Sequence, residues 1–133
     1  MKRNQKGFTL MEMLIVVAII AVLVAIAIPV YTAQMHKVRV AADWANVRAY
    51  YAQIQADYML TEKQNQNVPI HGQIPGSSGI NPVNFTAITF LDGAKVKLQA
   101  GTYSVSFKEV KGYSILYQCN SHPGTDCDKL FGD

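Results

Sequence analysis

From Met13 to Ile28 the chain holds no charged, polar or glycine residue. The wider apolar stretch, Phe8–Val30, is interrupted only by Thr9 and Glu12 before it reaches Pro29. At about 1.5 Å per helical residue it extends roughly 34 Å, enough to cross a hydrocarbon core of ~30 Å. Proline cannot donate to the carbonyl of residue 25 and clashes with it, so a kink or a break is expected at Pro29. Beyond it, Tyr31–Leu60 keeps a helical period but carries two stripes. Val40, Trp44, Val47, Tyr51, Ile54 and Tyr58 repeat at 4-3 spacing and form one face. Val38, Ala42, Ala45, Ala49, Ala52 and Ala56 repeat in the same way on the opposite face. The large stripe suits packing on a sheet of the same molecule. The small stripe suits close approach of another helix, or it is simply a solvated face of good helix formers. Lys37, Arg39, Asp43, Arg48 and Asp57 fall mainly on the flanks between the stripes.

The periodicity then changes. Residues 61–84 hold three prolines, three glycines and many amide side chains, which predicts a surface connection. From Phe85 the runs are short and β-like. Phe85–Leu91 and Ala94–Leu98 flank Asp92-Gly93, a tight-hairpin signal. Tyr103–Lys108 alternates Val105 and Phe107 against Ser104 and Ser106, and Tyr113–Gln118 is apolar at Tyr113, Ile115 and Tyr117. Four strands joined by short turns predict an antiparallel meander whose apolar face covers the large stripe. The expected fold class is therefore α+β: a long N-terminal helix, membrane-spanning in its first half, packed on a roughly four-stranded antiparallel sheet. The expected divisions are a short basic N-terminal piece (1–7), which the resemblance given below makes a cleaved leader, a transmembrane half-helix (8–30) and a head (31–133). Within the head these are the helix 31–60, the connection 61–84, the sheet 85–118 and a C-terminal loop 119–133.

Composition adjusts this picture in two places. The chain has 133 residues and a formal charge of +3, but three of its twelve basic side chains, Lys2, Arg3 and Lys6, lie in the first six residues. Without them nine basic side chains face nine acidic ones, so the remainder gives no global reason to expect a nucleic-acid partner. Lys95, Lys97, Lys108 and Lys111 form at most a local basic patch, and lysines on exposed strands also serve as edge protection. The leader cations instead hold that end of the span in the cytoplasm, which places everything after Val30 outside. There a disulfide is the default for the nearby pair Cys119 and Cys127. A metal site built from those cysteines and His122 lacks a fourth ligand at a recognisable spacing. No nucleophile or metal motif marks an enzyme, the three histidines (His36, His71 and His122) are dispersed, and no cofactor is implied.

Lys2–Gly7 followed by Phe8-Thr9-Leu10, with Glu12 as the fifth residue after the glycine and then the apolar run, resembles the N-terminus of a type IV pilin precursor. The resemblance implies cleavage between Gly7 and Phe8 by a membrane-embedded prepilin peptidase, which also methylates the new amine of Phe8. It implies that Glu12 pairs with the N-terminal amine of a neighbouring subunit, in a helical filament of many copies; snorkelling to the interface is the lesser alternative for such a carboxylate. It implies that Pro29 bounds a segment able to unwind during assembly; the other bound, usually glycine, is Ala21 here. It further implies a disulfide-stapled C-terminal loop, an assembly platform, and an external ATPase for movement. Mature protein would sit in a cell-surface filament. Secretion pseudopilins and competence pilins share these features and stand as alternatives. Asp126, Asp128 and Asp133 resemble the calcium-holding acids of some pseudopilins but follow no loop motif, and solvated acids are the plainer reading. A rival of another class is also written in the chain. Ala25-Ile26-Ala27 fits a signal-peptidase site, and cleavage after Ala27 would release a soluble domain. Glu12 argues against it, because a carboxylate in a signal core costs insertion energy for no return.

Overall fold

In the computed structural model the described residues are Gly7, 9–70, 84–121 and 127–132. They form one α-helix, α1 (Leu10–Thr61), and five strands: β1 (Ala87–Thr89), β2 (Lys95–Lys97), β3 (Gly101–Lys108), β4 (Gly112–Cys119) and β5 (Lys129–Phe131). The chain divides into two compact units, Met1–His36 and Lys37–Asp133. The α+β class with antiparallel strands is as expected. In the first unit the apolar helix presents its side chains outward, long and apolar enough to cross a membrane. Pro29 does not break α1, and the Thr32 hydroxyl donates to the Pro29 carbonyl at 3.0 Å.

In the second unit one face of α1 is buried by Val40, Asp43, Val47, Tyr50 and Ile54. This face lies slightly round the helix from the expected stripe. Trp44, Tyr51 and Tyr58 are only half-buried at its margin, whereas Tyr50 is fully enclosed. Ala45, Ala49, Ala52 and Ala56 are exposed on the opposite side. From the sheets come Ile88, Tyr103, Val105, Tyr113, Ile115 and Tyr117, completing a core in which four tyrosines are almost wholly buried.

The strands divide differently from a single meander of four. β1 and β2 make a two-stranded sheet, while β3, β4 and β5 make a three-stranded one. Between the two, Phe85 and Tyr103 exchange backbone hydrogen bonds of 2.8 and 3.0 Å. The Asp92-Gly93 turn is as the sequence suggests. Gly93 adopts φ 93°, where side-chain-bearing residues are strained, and the Asp92 carboxylate accepts from the Ala94 amide at 3.0 Å. β5 corrects the expectation of a plain C-terminal loop. Its three residues pair with Ile115–Tyr117, with Phe131 turned into the core. The connection after α1 is likewise not all surface, since Val68 and Ile70 are buried. Residues 71–83 of that connection lie outside the described residues.

Helix amides fasten the hairpins. Gln53 Oε1 accepts from the Leu91 amide at 2.8 Å, and Gln55 bridges the Tyr113 amide (3.0 Å) and the Lys111 carbonyl (3.3 Å). Tyr50 is different. Its ring meets Phe90 and Tyr103 edge-on, at 5.8 and 5.9 Å between centroids, and its hydroxyl has no hydrogen-bond partner among the described residues. A buried hydroxyl left unpaired costs about 1–3 kcal/mol. Tyr50→Phe is therefore expected to raise the melting temperature by roughly 4–8 °C, the equivalent of about 1 kcal/mol in a domain of this size. A lower melting temperature would show that the hydroxyl is satisfied in solution.

The tyrosine core also sets an alkaline limit. Burial pushes the Tyr103 phenol up to about 12 from the ordinary 10.0, and raises Tyr50 and Tyr117 further. A phenol whose folded pKa lies above its unfolded value stabilises fully below pH 10.0 and stops doing so as pH rises through the folded pKa. Tyr103 alone gives up roughly 2–3 kcal/mol across that window. Phenolate absorbance should therefore rise late and together with loss of near-UV dichroism. Smooth titration near the ordinary value, with the fold intact, would contradict the burial.

Candidate assembly site

The N-terminus of α1 is built by a short motif. The Glu12 amide donates to Thr9 Oγ1 at 3.3 Å, and the Thr9 amide donates to Glu12 Oε2 at 3.1 Å. This is a reciprocal capping box, Thr-x-x-Glu, which satisfies two amides that the first helical turn leaves without partners. In lipid such amides have no water to turn to, so the box matters more there than on a soluble helix. Glu12 thus has a partner within its own chain, at the helix end where the macrodipole favours a negative charge. Reasoning from charges alone overlooks Thr9, although the four-residue spacing displays it. Gly7 is exposed just ahead of the box, and Phe8 lies outside the described residues.

At the other end of the chain Cys119 and Cys127 are bonded to each other. The bond joins the last residue of β4 to the residue two before β5. Three further contacts hold this corner. Trp44 Nε1 donates to the Cys127 carbonyl at 3.2 Å, the Cys119 amide donates to Asp128 Oδ1 at 2.9 Å, and the Asn120 amide donates to the Ala100 carbonyl at 3.0 Å. Lys129 Nζ lies 4.6 Å above the Trp44 ring, within cation–π range. Asp128 is therefore a structural acceptor. His122, Asp126 and Asp133 lie outside the described residues, as does His71.

Asp43 corrects the expectation of a flank charge most sharply. It is completely buried. Its Oδ1 accepts from the Gln99 amide at 2.8 Å, and its Oδ2 from the Ala100 amide at 2.7 Å and the Tyr117 hydroxyl at 2.8 Å. The carboxylate draws the β2–β3 junction onto the helix, which is why the strand pattern divides at that junction. One signal pointed to it: three residues after Val40 and four before Val47, Asp43 falls on the apolar face.

Residues 2–28 match the family model for the prokaryotic N-terminal methylation motif. Over 89 residues the chain is 39% identical to the type IV narrow pilus major component PilA5 of Thermus thermophilus, covering 63% of this chain and 77% of that protein. It is 33% identical to the type IV major fimbrial protein FimA of Dichelobacter nodosus over 119 residues, 76% of this chain and 70% of the relative. The chain belongs to the type IV pilin family. A third pilin-like relative, the fimbrial protein EcpB of Eikenella corrodens, is 38% identical over 72 residues, 54% of this chain and 38% of that one. No solved structure matches the chain. The methylation motif covers the capped start and the apolar first part of α1, and the matches to PilA5 and FimA, over 89 and 119 residues, extend beyond it.

Proposed function

We propose that this pilin is the structural subunit of a type IV pilus. The precursor is held in the cytoplasmic membrane by Phe8–Val30 with its head outside, cut between Gly7 and Phe8, and methylated on the Phe8 amine by the prepilin peptidase. It then enters a filament through its N-terminal helix, fed by the assembly platform and driven by an external ATPase. The chain itself carries no catalytic role in this scheme. The observation that supports it is the capped helix start: Glu12 sits one turn from the amine that cleavage would create, on a helix with no basic residue between Phe8 and Val30. Removing an apolar span from lipid into a helix bundle gains little hydrophobic free energy, so close packing and this pairing must decide assembly. Pro29 and Ala21 bound the segment that would have to unwind if the bundle demands it.

The test is the N-terminus and intact mass of protein recovered from cells without reducing agent. N-methylated Phe8 as the first residue, with the disulfide intact, is the expected result. A chain starting at Ile28 would identify a released soluble domain and overturn the filament reading.

A further inference from the structure

Arg39, Lys97, Leu98 and Gln99 line a cleft of about 490 Å³ in the second unit. Both cations are exposed, Leu98 is buried, and among the described residues neither the Arg39 nor the Lys97 side chain has a hydrogen bond or ion pair. Asp43 stands four residues after Arg39, the spacing at which a helix normally pairs such charges. Here both of its oxygens are turned instead to Gln99, Ala100 and Tyr117. Burying the natural counter-ion leaves the guanidinium available while fixing the Gln99 backbone that forms part of the cleft. From this we infer that the cleft is an oxyanion site which takes a phosphate group, Arg39 supplying a planar fork of donors and Lys97 a point charge. The site lies wholly in the second unit. Lys95, two residues along the same exposed strand, would extend it toward a second phosphate of a polymer, and a fibre repeating the site would add avidity.

The experiment uses the full chain in a neutral detergent. Binding of inorganic phosphate is followed by ³¹P line broadening, and binding of a short DNA duplex by fluorescence anisotropy over a series of salt concentrations. Arg39→Gln and Lys97→Gln are each expected to weaken phosphate binding about tenfold, with Arg39→Lys recovering part of the loss. The pair Lys108→Gln with Lys111→Gln, on a different turn, should change nothing. If the duplex also binds, and the double variant at Arg39 and Lys97 lowers its salt slope by about two, the phosphate belongs to a polymer. Phosphate binding without duplex binding supports a free oxyanion as the occupant. Phosphate binding that survives in the double variant, or that chloride abolishes as readily as sulfate does, overturns the site. Matching melting temperatures for variants and parent secure the comparison.

Discussion

Replacing Asp43 with alanine should cost the head about 4 kcal/mol and lower its melting temperature by roughly 20 °C. Three donors point at that carboxylate: two consecutive backbone amides and a phenol, all at 2.7–2.8 Å. Each buried donor left without a partner costs about 1–3 kcal/mol, and water entering the vacated space recovers only part of that. The whole stability of a domain this size is about 5–15 kcal/mol, so the loss would be a large fraction of the total. The substitutions should rank in a definite order. Asp43→Asn keeps one acceptor but sets an amide donor among donors, and should fall between alanine and the parent. Tyr117→Phe removes a single charge-assisted hydrogen bond and should be mildest, at about 1.5–3 kcal/mol. Thermal unfolding followed by near-UV dichroism reads the series. An Asp43→Ala protein melting within 5 °C of the parent, on the order of 1 kcal/mol, would mean that the clamp is ornamental and that the β2–β3 junction is held elsewhere.

Substituting Glu12 by glutamine is expected to reduce incorporation into fibres by about tenfold or more while membrane insertion and N-terminal processing continue. The choice of glutamine matters. Glu12 has two possible duties, capping its own helix through Thr9 and pairing with a neighbour's amine, and alanine would remove both at once. Glutamine still accepts the Thr9 amide, since capping boxes use either residue, but carries no charge. A carboxylate paired with an amine inside a helix bundle leaves an uncompensated buried cation when it is neutralised, a loss of about 3–5 kcal/mol for a buried pair. Thr9→Val makes the complementary change. It removes the hydroxyl of the box and keeps the charge, and should cost assembly far less. Sheared-fibre yield normalised to membrane-held precursor distinguishes the cases. Normal yield for Glu12→Gln together with poor yield for Thr9→Val would assign the carboxylate to capping and withdraw the pairing.

How much of this was visible beforehand depends on how far apart the partners lie in the chain. The apolar run, the Asp92-Gly93 turn and the inward tyrosines of β4 follow from local period and turn chemistry, and the structure contains all of them. The capping box was equally local, four residues long, and was hidden only because Glu12 invites a search for cations. Asp43 is the opposite case. Its partners lie 56, 57 and 74 residues away, so no window of sequence could reveal that three donors would converge on it. The same distance effect explains β5. A three-residue run is too short to show alternation, and its pairing with β4 depends on a disulfide and on Trp44 from a third element. Tyr50 was missed for a different reason, because the buried stripe of α1 is rotated slightly from the expected one, sharing Val40, Val47 and Ile54 but taking Asp43 and Tyr50 in place of Trp44 and Tyr51.

Asp43 and Trp44 are neighbours in the chain, yet one holds the junction before β3 and the other holds the corner after β4. Two adjacent side chains therefore anchor segments that enter and leave the central hairpin, and the parts of the surface that neither one touches are freed from that duty. At the tip of the first hairpin and the Glu109–Lys111 turn, exposed positions such as Ala94 and Val110 can change sequence, while the backbone of both turns stays fastened to α1 through Gln53, Gln55 and Tyr58. In the filament proposed above, that arrangement would separate the surface each copy presents from what keeps it folded.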